Sequence, residues 1–153
     1  MYKEIIMQMS DGSQKAIPFV ANSAVKHRYN QTFKTELLDD VANIINSIQP
    51  EYFDKIMSSS DVDLANTDPE TLRAFMSIAG HGHLDTIEKL AYIMHRTATG
   101  EKNKLGVDDW LDWLEEFETL EFTAHAGELI ELYMSNVSGG SKLKKNPDQP
   151  SEK

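Results

Sequence analysis

Two histidines, His81 and His83, stand one residue apart at a glycine break and are the residues best placed to do chemistry. Two imidazoles at that spacing can share one cation, with Asp85 or His95 as a further ligand. The spacing fixes no third ligand, so His81 and His83 remain metal candidates only as a pair, and no cofactor is expected. The plainer reading is a helix–loop–helix joint with exposed imidazoles. The glycines beside them also lack the preceding strand and following helix of a phosphate-cradling loop.

Acid–base chemistry needs carboxylates that face one another. Seven acids fall between residues 108 and 121, namely Asp108, Asp109, Asp112, Glu115, Glu116, Glu118 and Glu121, with no basic residue among them. Most lie opposite an apolar stripe of Trp110, Leu111, Trp113, Leu114 and Phe117, so a solvated helix face or a charged docking surface explains them. Nothing places two carboxylates across a cleft, as glycoside hydrolysis requires. No serine sits in a Gly-x-Ser-x-Gly elbow, and the chain has no cysteine, which removes thiol nucleophiles, disulfides and thiolate metal sites. No catalytic residue is assigned, and an enzyme is not expected.

The 153 residues carry a formal charge of -10 with a pI near 4.9. That balance opposes general nucleic-acid binding, which depends on clustered Lys and Arg. The surplus is also unevenly placed. Residues 138–153 hold four lysines against Asp148 and Glu152, which leaves -12 on residues 1–137. The patch Lys142-Leu143-Lys144-Lys145 is too short to read a nucleic acid and suits a solubilising or tethering end. No run approaches the roughly 18 apolar residues of a membrane helix. No signal-type segment opens the chain, so an intracellular protein is expected, with no nucleic-acid or membrane partner.

The elements that must position these residues follow from periodicity. Ile5, Met7 and Met9 alternate with polar neighbours, and Asp11-Gly12 separates them from a second short run ending near Phe19, which predicts a hairpin over about 3–19. Pro18 should end the second strand or lie at an edge. The period then becomes helical. Val25, Tyr29 and Phe33 share one face, as do Leu37, Leu38, Val41, Ile44, Ile45 and Ile48. Pro50 opens a short turn with Phe53, Ile56 and Met57. Asp68-Pro69-Glu70 is a helix start. Leu84 to Met94 runs to a stop at Gly100, Val107–Phe117 carries the tryptophans, and Phe122, Ala126, Leu129, Ile130 and Tyr133 mark a final helix. The prediction is a mostly α domain of about six helices over 1–137 with an N-terminal β-hairpin, followed by a flexible tail over 138–153, rich in Gly, Pro and Lys. Trp110 and Trp113 read first as core, although tryptophans also anchor interfaces.

Four stretches together carry a resemblance: Pro18-Phe19-Val20-Ala21-Asn22 with Lys26-His27-Arg28-Tyr29, Phe33 and Glu36-Leu37-Leu38; Lys89-Leu90-Ala91-Tyr92-Ile93-Met94; Asp109 through Phe117; and Glu128-Leu129-Ile130-Glu131-Leu132-Tyr133. Their order, over about residues 16–136, resembles the tail assembly chaperones of long-tailed phages and prophages of Gram-positive bacteria. The likeness is one of helices and aromatic positions rather than of a chemical signature. It implies a non-enzymatic protein of the host cytoplasm, absent from the mature virion, that binds the tape measure protein and keeps it soluble until the tail tube protein assembles around it. It further implies self-association into a homo-oligomer and a longer frameshifted form of the same chain.

The family offers no binding motif to carry over. The partner-binding surface is therefore assigned to the apolar stripes, with Trp110, Trp113, Leu114, Phe117, Phe122, Ile130 and Tyr133 as its residues. Two other readings compete. One is an acidic phage inhibitor that mimics DNA and blocks a host protein. The other is a small metal-binding helical protein centred on His81 and His83.

Overall fold

A computed structural model describes residues 1–59, 62–80 and 82–137, and it opens with two antiparallel strands, β1 (Tyr2–Gln8) and β2 (Gln14–Val20). Asp11 builds the turn: its Oδ1 accepts from Ser13 N at 2.9 Å and from Ser13 Oγ at 2.6 Å. Gly12 supplies a φ of +89°, which a side chain would resist. Strand alternation turns Ile5, Met7, Ile17 and Phe19 inward and leaves Tyr2, Glu4 and Ile6 outside.

Pro18 does not end β2. Met1 and Ala21 exchange hydrogen bonds in both directions, at 2.9 and 2.8 Å, so alternate pairs along the ladder are the bonded ones. The Glu4–Pro18 pair falls between them, where no N–H is needed. The Pro18 carbonyl points away from β1 and accepts from His95 Nδ1–H at 2.9 Å. The sheet has only these two strands, so each is an edge, as proline in a strand demands.

Eight α-helices follow among the described residues. α1 (Ser23–Phe33) is capped by Asn22, whose Oδ1 accepts from Ala24 N at 3.0 Å. α2 (Leu37–Ser47) buries Leu37, Val41 and Ile44, and α3 (Pro50–Ser58) starts on its proline. α4 (Pro69–Met76) opens as the sequence requires, with Asp68 accepting from Thr71 N at 3.0 Å. α5 (His83–Thr99) ends on Gly100 in the left-handed conformation, φ +77°.

α5 is the axis of the molecule. Ile87, Leu90, Ala91, Tyr92, Ile93 and Met94 are all buried, so more than one face needs cover. The hairpin, α1, α2, α6 (Val107–Leu114), α7 (Glu121–Ala124) and α8 (Ala126–Val137) supply it. Aromatic rings fill the joints. Phe33 meets Tyr29, Tyr92 and Trp110, while Trp113 meets Tyr92, Phe117 and Phe122, with centroids 4.8–6.1 Å apart and rings mostly edge to face. α8 crosses α3 so closely that a Cβ on Gly127 would lie 2.3 Å from the Ile56 carbonyl oxygen.

Two expected helices are shorter than the apolar period suggested. α6 stops at Leu114, because the following backbone pairs with the hairpin instead. Ser10 N donates to Glu116 O at 2.9 Å, Glu118 N donates to Gln8 O at 3.1 Å, and Met9 and Phe117 form a bridge between them. The final helix is divided at His125 into α7 and α8, and the expected short turn after Pro50 is the nine-residue helix α3, which together raise the count from about six to eight. The mostly α fold with an N-terminal hairpin stands. The expected tail, 138–153, lies outside the described residues. No described helix is long and apolar enough to cross a membrane.

Candidate functional site

The aromatic stripes do not form an open surface. Trp110, Trp113, Phe117, Phe122, Ile130 and Tyr133 are each at most 7% exposed, and Leu114 is half-buried against them. The partner-binding surface assigned to these seven residues therefore needs correcting: six are core, and the half-buried Leu114 packs on that core. The physical reason is that α6, α7 and α8 all turn their apolar sides onto α5 and the hairpin, leaving no groove between the stripes. His81 lies outside the described residues. His83 is buried in the first turn of α5 rather than exposed at a joint. Among the described residues no group of three or more His, Asp or Glu is arranged to hold a metal ion.

The acidic run divides into three uses. Asp109 turns inward to receive Arg96, with Nε at 3.1 Å from Oδ2 and Nη2 at 3.2 Å from Oδ1. Tyr92 donates its hydroxyl to the same carboxylate at 2.6 Å, and burial followed by that carboxylate pushes its pKa up to about 12. This fork ties the start of α6 to the last turns of α5. Glu121 turns inward at the other end. Asp108, Asp112, Glu115, Glu116 and Glu118 remain exposed.

Glu121 belongs to a buried ionic clamp. His125 donates from Nε2 to Glu121 Oε2 at 3.1 Å and from Nδ1 to Glu128 Oε1 at 2.7 Å. Lys3 Nζ lies 3.3 Å from Glu128 Oε2, and Gln8 N donates to Glu121 Oε2 at 2.8 Å. Burial alone lowers an imidazole's pKa, but the two carboxylates more than offset it and raise that of His125 to about 9. His125 is therefore an imidazolium at neutral pH. Its hydrogen bond, ahead of the counteracting burial, holds Glu128 below the usual glutamate range. The clamp fastens the α7–α8 corner to β1.

Beside this clamp lies an open groove with a cavity volume of about 1060 Å³. Ile6, Gln8 and Gln14 of the hairpin form one wall, Val62, Asp63, Leu64 and Ala65 another, and Glu118, Thr119 and Leu120 a third. Glu121, Ala124 and His125 also border it. Ile6 and Leu120 are 55% and 45% exposed, which is high for large apolar side chains and costs hydration free energy until something covers them. The volume sits at the upper end of the roughly 300–1,000 Å³ of small-molecule sites, and the exposed Ile6 and Leu120 on its open walls suit a macromolecular segment. Sequence reasoning missed this groove because its walls come from four separated stretches. The one available signal was Ile6, an isoleucine at an outward position of an alternating strand.

A second cavity, about 230 Å³, lies between α2 and the start of α5 and is lined by polar groups including Asp40, Asn43, Asp85 and Lys89. No family model matches the chain, and neither a curated protein nor a solved structure matches it.

Proposed function

We propose that this chain is a tail assembly chaperone, a non-enzymatic protein that binds the tape measure protein in the host cytoplasm. It keeps that chain soluble until the tail tube assembles, and it leaves before the virion matures. The observation that carries this reading is the open groove around Ile6, Leu64, Leu120 and Ala124, an apolar channel on an otherwise acidic surface. A holdase needs both parts. An apolar channel takes the exposed stripe of a helix, and surplus like charge keeps the coated complex dispersed. Affinity must also stay modest, so that tube assembly can displace the chaperone by mass action. Self-association and a longer frameshifted form belong to the same proposal, on the resemblance of the aromatic and helical pattern.

Co-expression tests it. With this protein present, a tape measure chain that otherwise sediments as aggregate should move to the supernatant and elute with it. A tape measure chain that stays in the pellet, while this protein is folded and abundant, would remove the reading.

A further inference from the structure

We infer that the groove receives an amphipathic helix whose apolar stripe is flanked by Lys or Arg, and that Glu118 and Asp63 at its rim are the groups that select those cations. This deepens the chaperone reading and rests on it for the partner's name, although the groove's own chemistry supports the inference separately. Ile6 and Leu120 are the exposed apolar side chains of the groove, with Val62 half-buried beside them and Leu64 and Ala124 at its floor, a surface that the apolar stripe of a helix can cover. Among the described lining residues the one cation, His125, is taken up by Glu121 and Glu128, which leaves the exposed Asp63 and Glu118 as charges that no lysine, arginine or imidazolium of the lining meets.

Glu121 is already paired, since its Oε2 accepts from Gln8 N and from the His125 imidazolium, so it shapes the groove wall and leaves the rim acids to meet a partner's cation. Asp63 is held in place, with Oδ1 accepting from Ala65 N at 3.1 Å and Oδ2 from Asn66 Nδ2 at 3.0 Å, so it loses little side-chain freedom when a cation arrives. Glu118 is anchored through its backbone, since its N–H donates to Gln8 O at 3.1 Å, and its side chain is exposed at the rim. An anionic or purely apolar helix would leave these carboxylates facing a like charge or partly desolvated without a partner. The other exposed apolar pairs, Leu38 with Ile45 on α2, Leu72 with Met76 on α4 and Val107 with Leu111 on α6, line neither cavity.

Two synthetic amphipathic peptides with identical leucine positions, one with lysine and one with glutamate at every polar position, test this by fluorescence anisotropy against the full chain. The lysine peptide should bind at least about tenfold tighter at low salt, and the preference should shrink as salt screens it. Glu118→Lys and Leu120→Glu, both at exposed sites, should each weaken the lysine peptide about tenfold with an unchanged circular dichroism spectrum. Equal binding of the two peptides, or affinity untouched by both substitutions, overturns the inference.

Two further arms identify rival occupants. If Lys142→Gln, Lys144→Gln and Lys145→Gln together raise affinity tenfold, the chain's own tail fills the groove and the inference fails. If the wild type sediments as a dimer that Leu120→Glu dissociates, a second copy fills it and the inference fails again. A tape measure chain left in the pellet despite an intact peptide preference would remove only the partner's name. A soluble tape measure with no peptide preference would remove only the cation selection.

Discussion

Single residues divide sharply into those that the fold cannot lose and those that it can. His125→Gln leaves the buried Glu121 without its cation and Glu128 with Lys3 alone, and should cost about 3 kcal/mol in urea unfolding at pH 7. The clamp also has a pH signature. An imidazole raised from 6.5 to about 9 by folding contributes stability that is fully present below pH 6.5 and is lost as pH rises through 9. Urea midpoints of the wild type should therefore fall across that window, and His125→Gln should flatten the fall. A second group acts in the same direction at lower pH. Burial and then Asp85 push Glu88 up to about 7, so its ionisation between pH 4.5 and 7 destabilises the fold. Glu88→Gln should raise stability at pH 8 by about 1–2 kcal/mol. No change, or a loss, contradicts the half-buried position of Glu88 on α5.

Elements meet under tight geometric limits, and the α3–α8 crossing is the tightest. Gly127→Ala places a methyl group 2.3 Å from Ile56 O, a backbone atom that cannot rotate away. The helices must separate, at a cost of about 2–3 kcal/mol measured by thermal or urea unfolding, although alanine is the better helix former. Trp113→Ala tests the aromatic joint between α5, α6 and α7 and should cost about 3–5 kcal/mol. A mild effect there would mean that the stripe is a surface after all. By contrast, Leu120→Glu and Ile6→Gln should stay within about 0.5 kcal/mol of the wild type.

Legibility follows the range of the interactions that decide each feature. The Asp68–Pro69 start of α4, the Gly100 stop of α5 and the inward alternation of Ile5 and Met7 rest on local rules and are readable. The end of α6 at Leu114 is not, because it depends on the Glu116 carbonyl accepting from, and the Glu118 N–H donating to, a hairpin over a hundred residues earlier. The division at His125 is equally hidden, since the apolar spacing runs through it unbroken. The aromatic stripe was legible as a stripe. Whether it faced a partner or the core depended on what α5 and the hairpin do, which no local period records.

At the scale of the whole molecule, the charge of -12 on residues 1–137 is spent in two ways. Asp109, Glu121 and Glu128 hold the fold together through Arg96 and His125, while the exposed Asp63 and Glu118 border the groove. The molecule thus presents a closed aromatic core and an open apolar channel with an acidic border. The central claim is that this channel, and not the tryptophan stripe, holds an aggregation-prone helical partner. Co-expression of the tape measure chain with wild-type protein and with the folded Ile6→Glu/Leu120→Glu double variant tests it most directly. The account predicts a soluble partner with the wild type and a pelleted one with the variant. Equal solubility with both proteins would contradict it.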